Sequence, residues 1–264
     1  MAPVAPEVAV SELRESLAQI EDKIVCSTDD RFLLSFLRYR KFDVKAAFAS
    51  VMKYYGLRKE FPEKIWPRGR GIQWMEAYAA LNNCSVLPRK NPRDNTWIFA
   101  WRKGLWKPEE GVYDLADYFA WSLYMTEYFL YMKEDVEDSD GWTCIMDLAG
   151  FEARHLPYCD LRAVRTYARI LTGALPVRVK AIHFVNVPTV FQFVLKLVKY
   201  LLTNKLRSRF FVDDSFSNLH QRVDPDVLPV EYGGCDGNFS SRWLYEEMLH
   251  HDKEIKERSY YGFK

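Results

Sequence analysis

Three short apolar runs, Thr96 to Trp101, Trp142 to Leu148 and Val179 to Val185, are separated by long stretches of helical periodicity. That alternation constrains the fold more than any other feature. A strand, a crossover helix and a second strand return the chain in its original direction, so the pattern predicts an α/β layer with parallel pairings. Ser85 to Leu87 reads as a further strand ahead of the turn-rich Pro88 to Asn95, and Phe210 to Val212 as the last. The intervening helices are expected at Leu115 to Val136, Asp160 to Thr172 and Pro188 to Leu206.

The chain before this layer has a different character. Residues 7 to about 82 read as helical, with Ser11 as the N-cap of a helix reaching Ile24. Thr28 or Asp29 starts a second helix carrying the apolar stripe Phe32, Leu33, Phe36 and Leu37, and Asp43 caps a third. Pro62, Pro67 and the turn Gly69-Arg70-Gly71 interrupt the pattern before a short helix at Ile72 to Leu81. The tail, Ser240 to Arg258, reads as a charged surface helix. A helical domain over 1–84 and an α/β domain over 85–264 are therefore expected.

Composition then removes several classes of function. Hydrophobic residues make up 48% of the 264, enough for a sizeable core. With 37 basic and 36 acidic side chains the net charge is +1, so there is no global attraction to nucleic acid, and any phosphate or membrane contact must be local. The first ten residues lack both a basic start and a long apolar run, so no signal peptide is expected. Val187 to Leu202 is interrupted by Pro188, Gln192, Lys196 and Lys199, whereas a bilayer span needs about 20 largely apolar residues. Five cysteines without a CxxC pair argue against a disulfide framework. The expected compartment is the cytoplasm.

Catalytic signatures are missing. The chain contains no G-x-S-x-G, no phosphate-binding glycine loop and no HExxH. His183, inside a strand, reads as a core histidine, and His155, in a loop, reads as surface-exposed, with a position facing a cavity as the alternative. The pairs Glu109-Glu110 and Asp213-Asp214 read as solvated, because neighbours on a strand point apart. Cys144 reads as a small apolar core residue. A non-enzymatic role is expected, with no metal and no cofactor.

One segment departs from an ordinary surface helix. In Val190 to Leu206, Lys196, Lys199 and Thr203 form a narrow polar stripe, while Phe191, Val194, Leu195, Leu197, Val198, Leu201 and Leu202 cover the rest of the circumference. Such a helix is either buried on two sides or lies over something apolar, a core helix or a lid. Arg178 and Lys180 precede it on one strand face, and Lys205 and Arg209 follow it, a set suited to an anionic surface. A long-tailed lipid gains on the order of 10 kcal/mol on leaving water, so a closed apolar pocket can compete with a membrane.

Four motifs make the chain resemble the CRAL-TRIO lipid-transfer family, and in particular its tocopherol- and retinaldehyde-carrying branch. They are Asp30-Arg-Phe-Leu-Leu-Ser-Phe-Leu-Arg-Tyr-Arg-Lys-Phe-Asp43, Gly141-Trp-Thr-Cys-Ile-Met-Asp147-Leu-Ala-Gly150, Val179-Lys-Ala-Ile-His-Phe-Val-Asn186-Val-Pro188 and Leu228-Pro-Val-Glu-Tyr-Gly-Gly234. They occur in the family's order across residues 28 to 240. The resemblance implies an N-terminal helical bundle followed by an α/β domain. In that domain a mixed, largely parallel sheet would floor a lipid pocket, and Pro188 to Leu202 would be its gate. It further implies pocket walls at Phe119, Ser122, Thr126, Trp142, Met146, Ile170, Leu175, Val177, Ile182, Phe191, Leu195 and Val198, with Ser122 or Thr126 orienting the ligand. Phosphoinositide contact is implied at Arg178, Lys180, Lys205 and Arg209. A further basic position of the family falls on Ala49, with Arg58 nearby. The expected partners are one small hydrophobic ligand as cargo and the phosphoinositides of endosomal or plasma membranes, met transiently by a monomer. Tocopherol, a retinoid, a carotenoid and a phospholipid all remain open as cargo. A lipid-sensing interaction module is the first alternative, and an enzyme acting on a buried lipid, such as an isomerase or hydrolase, is the second.

Overall fold

The computed structural model describes residues 5–60, 66–108, 114–133, 139–158, 165, 169, 175–201 and 204–264, with the backbone alone at 193, 197 and 201. The first helix, α1 (Pro6–Ala18), begins at Pro6, whose fixed φ and missing N–H suit the first helical position. Ser11 is therefore not a cap. It sits inside α1 with its hydroxyl on Glu15 Oε1 at 3.2 Å, and Ile24 lies beyond the helix in β1 (Ile24–Val25). Asp29 caps α2 (Asp30–Tyr39) by accepting from the Phe32 N–H at 2.8 Å. Asp43 does the same for Ala46 at the start of α3 (Val44–Glu60). The next expected helix is a 3-10 turn over Gln73–Met75 running into α4 (Glu76–Ala80).

Strands β2 (Cys84–Val86) and β3 (Thr96–Arg102) pair antiparallel. Then α5 (Leu115–Tyr131), opened by a reciprocal capping box between Asp114 and Asp117, leads toward β4 (Gly141–Asp147). It ends at Tyr131, five residues short of the expected Val136. β5 (Val179–Val185) matches its predicted limits. The expected helix at Asp160 to Thr172 lies outside the described residues, apart from helical positions 165 and 169. The single predicted helix at Pro188 to Leu206 is a 3-10 turn (Thr189–Phe191), then α6 (Gln192–Leu201) and a separate short α7 (Asn204–Arg207). β6 (Phe210–Asp213) closes a five-stranded sheet of order β2-β3-β4-β5-β6, parallel from β3 onward.

After α8 (Phe216–His220) the tail forms α9 (Arg242–Leu249), α10 (Asp252–Arg258) and β7 (Gly262–Phe263). It is not a purely solvated helix. Leu244, Tyr245, Met248 and Ile255 are buried, and β7 pairs with β1. The turn at Gly69 is glycine for a reason the tail supplies. At φ +72° a side chain is strained, and a Cβ there would meet the Tyr260 hydroxyl at 2.5 Å.

The sheet's alternation separates two cores. Ile98, Ala100, Ile145 and Val185 point to one face and pack with Leu219, Val223 and Leu228. The opposite face carries Trp97, Phe99, Trp101, Trp142 and Cys144 against α5 and the N-terminal helices.

Candidate functional site

On that second face the pairing register places Cys144 beside Ile182, Met146 beside Phe184 and Ile182 beside Phe210. Two apolar clusters share the face. One contains Phe119, Trp142, Leu175 and Val177, with Phe129 edge-on to Trp142 at 5.6 Å. The other contains Leu148, Phe151, Phe184, Leu195 and Phe210, with the half-buried Phe191 and Val198 of the gate segment packed on it. Met146 and Ile182 pack against both clusters while staying only half-buried. They mark the seam between α5 and the gate.

Of the twelve predicted wall residues, nine thus fall on these two clusters or the seam. Ser122 and Thr126 lie buried on α5, and Ile170 lies outside the described residues. Thr126 donates its hydroxyl hydrogen to the Ser122 carbonyl at 2.8 Å, which leaves it only a lone pair to offer a ligand. Burial pushes the Cys144 thiol up to about 12, so it behaves as an apolar floor residue. Phe184 and Phe210 escaped the sequence reading, although the two-residue period of β5 and β6 puts them on the same face as Ile182.

Helix α6, in the segment expected to be a gate, turns Leu195 inward, at 6% exposure, and Gln192, Lys196 and Tyr200 outward. Tyr200 is 80% exposed. Lys199 is not solvated like Lys196: its ammonium lies 4.9 Å from the Phe210 ring centre.

The four basic residues split into two pairs. Arg178 donates to the Arg38 carbonyl and Arg209 to the Val179 carbonyl, so both guanidinium groups are held in place. Lys180 and Lys205 are exposed, and among the described residues neither has a carboxylate within ion-pair distance. Beside Arg178 lies a cleft of about 300 Å³ between α2, the end of α5 and the start of β4, bordered by Arg31, Arg38, Lys41, Lys133 and Asp140. Arg31 and Arg38 occupy one face of α2 at helical spacing, a signal legible in the second helix's polar positions. Arg58 is not part of any such surface. It is buried, with its guanidinium 3.1 Å from the Tyr54 hydroxyl and 3.2 Å from the Arg258 carbonyl.

Two further expectations are corrected. His155 is fully buried, with Nε2 3.0 Å from the Trp106 carbonyl. Asp213 is 5% exposed and lies 2.7 Å from His183 Nδ1, so one member of the Asp213-Asp214 pair points inward and only Asp214 is solvated. His183 is indeed a core histidine, stacked on Phe211. Among the described residues no cluster of side chains could hold a metal ion, and no helix is long and apolar enough to cross a membrane.

Comparison with known proteins gives a consistent family. Residues 85–234 match the model of the CRAL/TRIO domain. A Mus musculus protein named alpha-tocopherol transfer protein-like is 28% identical over 252 residues, covering 94% of this chain and 71% of that protein. Clavesin-2 of Mus musculus is 27% identical over 263 residues, covering 95% and 77%. The crystal structure of Sfh5 superposes with a TM-score of 0.60 at 17% identity, covering 94% of this chain and 98% of that one, a likeness of fold. With the matched domain spanning more than half of its length, the chain belongs to the CRAL/TRIO family of lipid-binding and transfer proteins.

Proposed function

We propose that this protein takes up one small hydrophobic molecule, shields it between α5, the sheet and α6, and releases it at membranes that carry phosphoinositides. The observation that supports this reading is the pair of apolar clusters meeting at half-buried Met146 and Ile182, beneath a helix that presents Leu195 inward. Interior side chains on a sheet face ordinarily bury completely, so two that do not are where a cargo would complete the packing. Cargo affinity comes from apolar burial, and polar groups such as Ser122 set orientation. The lipid-binding unit is residues 85–264, with the helical bundle 1–84 flanking it. The protein acts as a cytoplasmic monomer, performs no chemistry on its cargo, and needs no cofactor.

Lys180 and Lys205, exposed on either side of the gate, make the first contact with an anionic headgroup. Arg178 and Arg209, already oriented, complete it. Bound headgroup then favours the open gate by its greater affinity for that state.

Native mass spectrometry with solvent extraction, on protein purified from its own tissue, tests the cargo. One stoichiometric hydrophobic compound is expected, and its structure decides among a tocopherol, a retinoid, a carotenoid and a phospholipid. Repeatedly empty protein would reject the carrier reading and favour a lipid-sensing module. Charge reversal at Lys180 and Lys205 is expected to slow cargo transfer to phosphoinositide vesicles about tenfold or more, since each basic residue near such a surface contributes about 1 kcal/mol. Unchanged transfer removes the headgroup coupling.

A further inference from the structure

The gate segment starts at an aromatic stack that the lipid reading does not use. Phe191 meets Phe151 edge-on at 4.8 Å, Phe151 stacks on the His155 ring at 4.8 Å, and His155 stacks more distantly on Trp106 at 6.4 Å. The stack is held from below by backbone. Gly104 packs so closely on Ala149 and Gly150 that a Cβ there would collide with the Ala149 carbonyl. The exits of β3 and β4 are thereby locked together, and the Trp106 carbonyl comes within 3.0 Å of His155 Nε2.

A carbonyl can only accept, so Nε2 carries the hydrogen. In the neutral ring Nδ1 is then an acceptor, and the Glu152 N–H donates to it at 2.9 Å. The Glu152 carbonyl also lies 3.2 Å from Nδ1; it accepts from the His155 N–H at 3.0 Å and keeps one further lone pair. A proton on Nδ1 would face the Glu152 N–H at 2.9 Å, and only a turn of the ring toward the carbonyl's remaining lone pair, at 3.2 Å, would give it an acceptor. The ring has no exposure to share the charge with water. Charged and titratable groups on the enclosing elements are Glu152 and Arg154 of its own turn, ion-paired to each other at 3.2 Å, and Lys103 and Lys107 on either side of Trp106. Tyr158, edge-on to Trp106, and Lys196 and Lys199 on α6 complete the set. Among the described residues no carboxylate other than Glu152 stands in that set.

We propose that His155 is the positioning residue that fastens the start of the gate, and that its neutral, Nε2-protonated form is the one that holds Phe151 against Phe191. Protonation breaks the bond from the Glu152 N–H, displaces the ring and frees the gate's first turn. This inference rests on the gate reading above for its meaning in cargo release, but the fastening itself can be measured without cargo.

Hydrogen exchange of residues 192–201, corrected for the intrinsic effect of pH, tests it in the full chain. In the wild type, moving from about pH 7.4 to about pH 5.5 is expected to raise gate exchange at least threefold while β5 stays protected. His155→Gln keeps a neutral donor for the Trp106 carbonyl and is expected to retain protection but lose the pH response. Phe191→Leu leaves His155 untouched and removes the ring contact, so its gate should be exposed at both values. An unaltered pH response in His155→Gln overturns the proposal, as does an imidazole nitrogen NMR spectrum showing hydrogen on Nδ1 at neutral pH. Should gate exchange behave as expected while cargo release ignores pH, the fastening stands and the lipid-gate reading falls.

Discussion

Two seams of this molecule are closed by opposite means. Where α3, α5 and the tail meet, buried polar groups do the joining. Glu127 accepts from the Tyr54 hydroxyl and from Trp66 Nε1 at 3.0 Å, and Arg58 reaches both Tyr54 and the Arg258 carbonyl. Burial, with the Glu127 charge beside it, keeps the Tyr54 phenol well above its ordinary pKa, so it remains a donor. Where α6 lies on the sheet, contact is apolar: Leu195, Val198 and Phe191 rest on Phe151, Phe184 and Phe210. Among the described residues no side chain of 188–201 makes a hydrogen bond to another element. Directional bonds in a dry interior admit one geometry, and breaking one partner leaves the others unsatisfied. Apolar contacts are non-directional and can be exchanged for contacts to a cargo or a bilayer at little net cost. On the proposed reading, the first seam stays and the second parts.

The largest expected effect follows from breaking the first seam. Glu127→Ala removes the acceptor for two donors and leaves Arg58, whose side chain is 7% exposed, without its nearest carboxylate. A loss of about 3–5 kcal/mol in urea unfolding is expected. Glu127→Gln keeps an acceptor and should lose less, about 1–3 kcal/mol. A loss below about 1 kcal/mol in the alanine variant would mean the network contributes nothing beyond packing.

An equivalent cut in the second seam should read out differently. Leu195→Ala deletes a 6%-exposed side chain from the gate cluster, worth about 2–3 kcal/mol of packing. If the segment acts as the proposed gate and parts without the rest unfolding, that loss should appear as roughly 30-fold or more faster hydrogen exchange in 192–201, with the global urea midpoint nearly unchanged. A full drop in the global midpoint would show that the gate unfolds only with the whole domain, and the contrast between the seams would disappear.

How far each seam was legible in the sequence follows the same division. The helix proposed as a gate announces itself locally, because an apolar girth with lysines at spacings of three and four lies within one helix. The limits of β5 and the cap at Asp29 are equally local. The polar seam joins residues 73 apart at Tyr54 and Glu127 and about 200 apart at Arg58 and Arg258, and no periodicity links such positions. β1 and β7, two residues each, exist only because they find one another. His155 was missed for a related reason: its burial depends on the Trp106 carbonyl, 49 residues away. Asp213 was a nearer miss. Alternation does send adjacent acids to opposite faces, and one of those faces had to be the interior, where the register of β6 on β5 delivers it to His183.

The smallest predicted effect separates the seams by acidity. Asp29 caps α2 and also accepts from Arg258 at 3.0 Å and from Ser27. Burial alone would raise its carboxyl pKa, but the hydrogen bonds from Ser27 and Phe32 and the Arg258 charge outweigh burial and hold it below the usual value. A carboxyl depressed in the folded state stabilises above its unfolded pKa of about 4, and that contribution is lost as pH falls through the folded value. With the Asp29 side chain 39% exposed, solvent screening limits the charge contribution to about 1 kcal/mol or less. Asp29→Asn preserves a capping side chain and deletes the charge. Urea midpoints of the two proteins should therefore differ slightly at pH 7 and converge only as pH falls below the folded-state value of Asp29. A gap that persists at acid pH would assign Asp29 to capping alone. Convergence would assign the acid sensitivity of this part of the molecule to the Asp29 charge, separate from the pH response proposed for the gate.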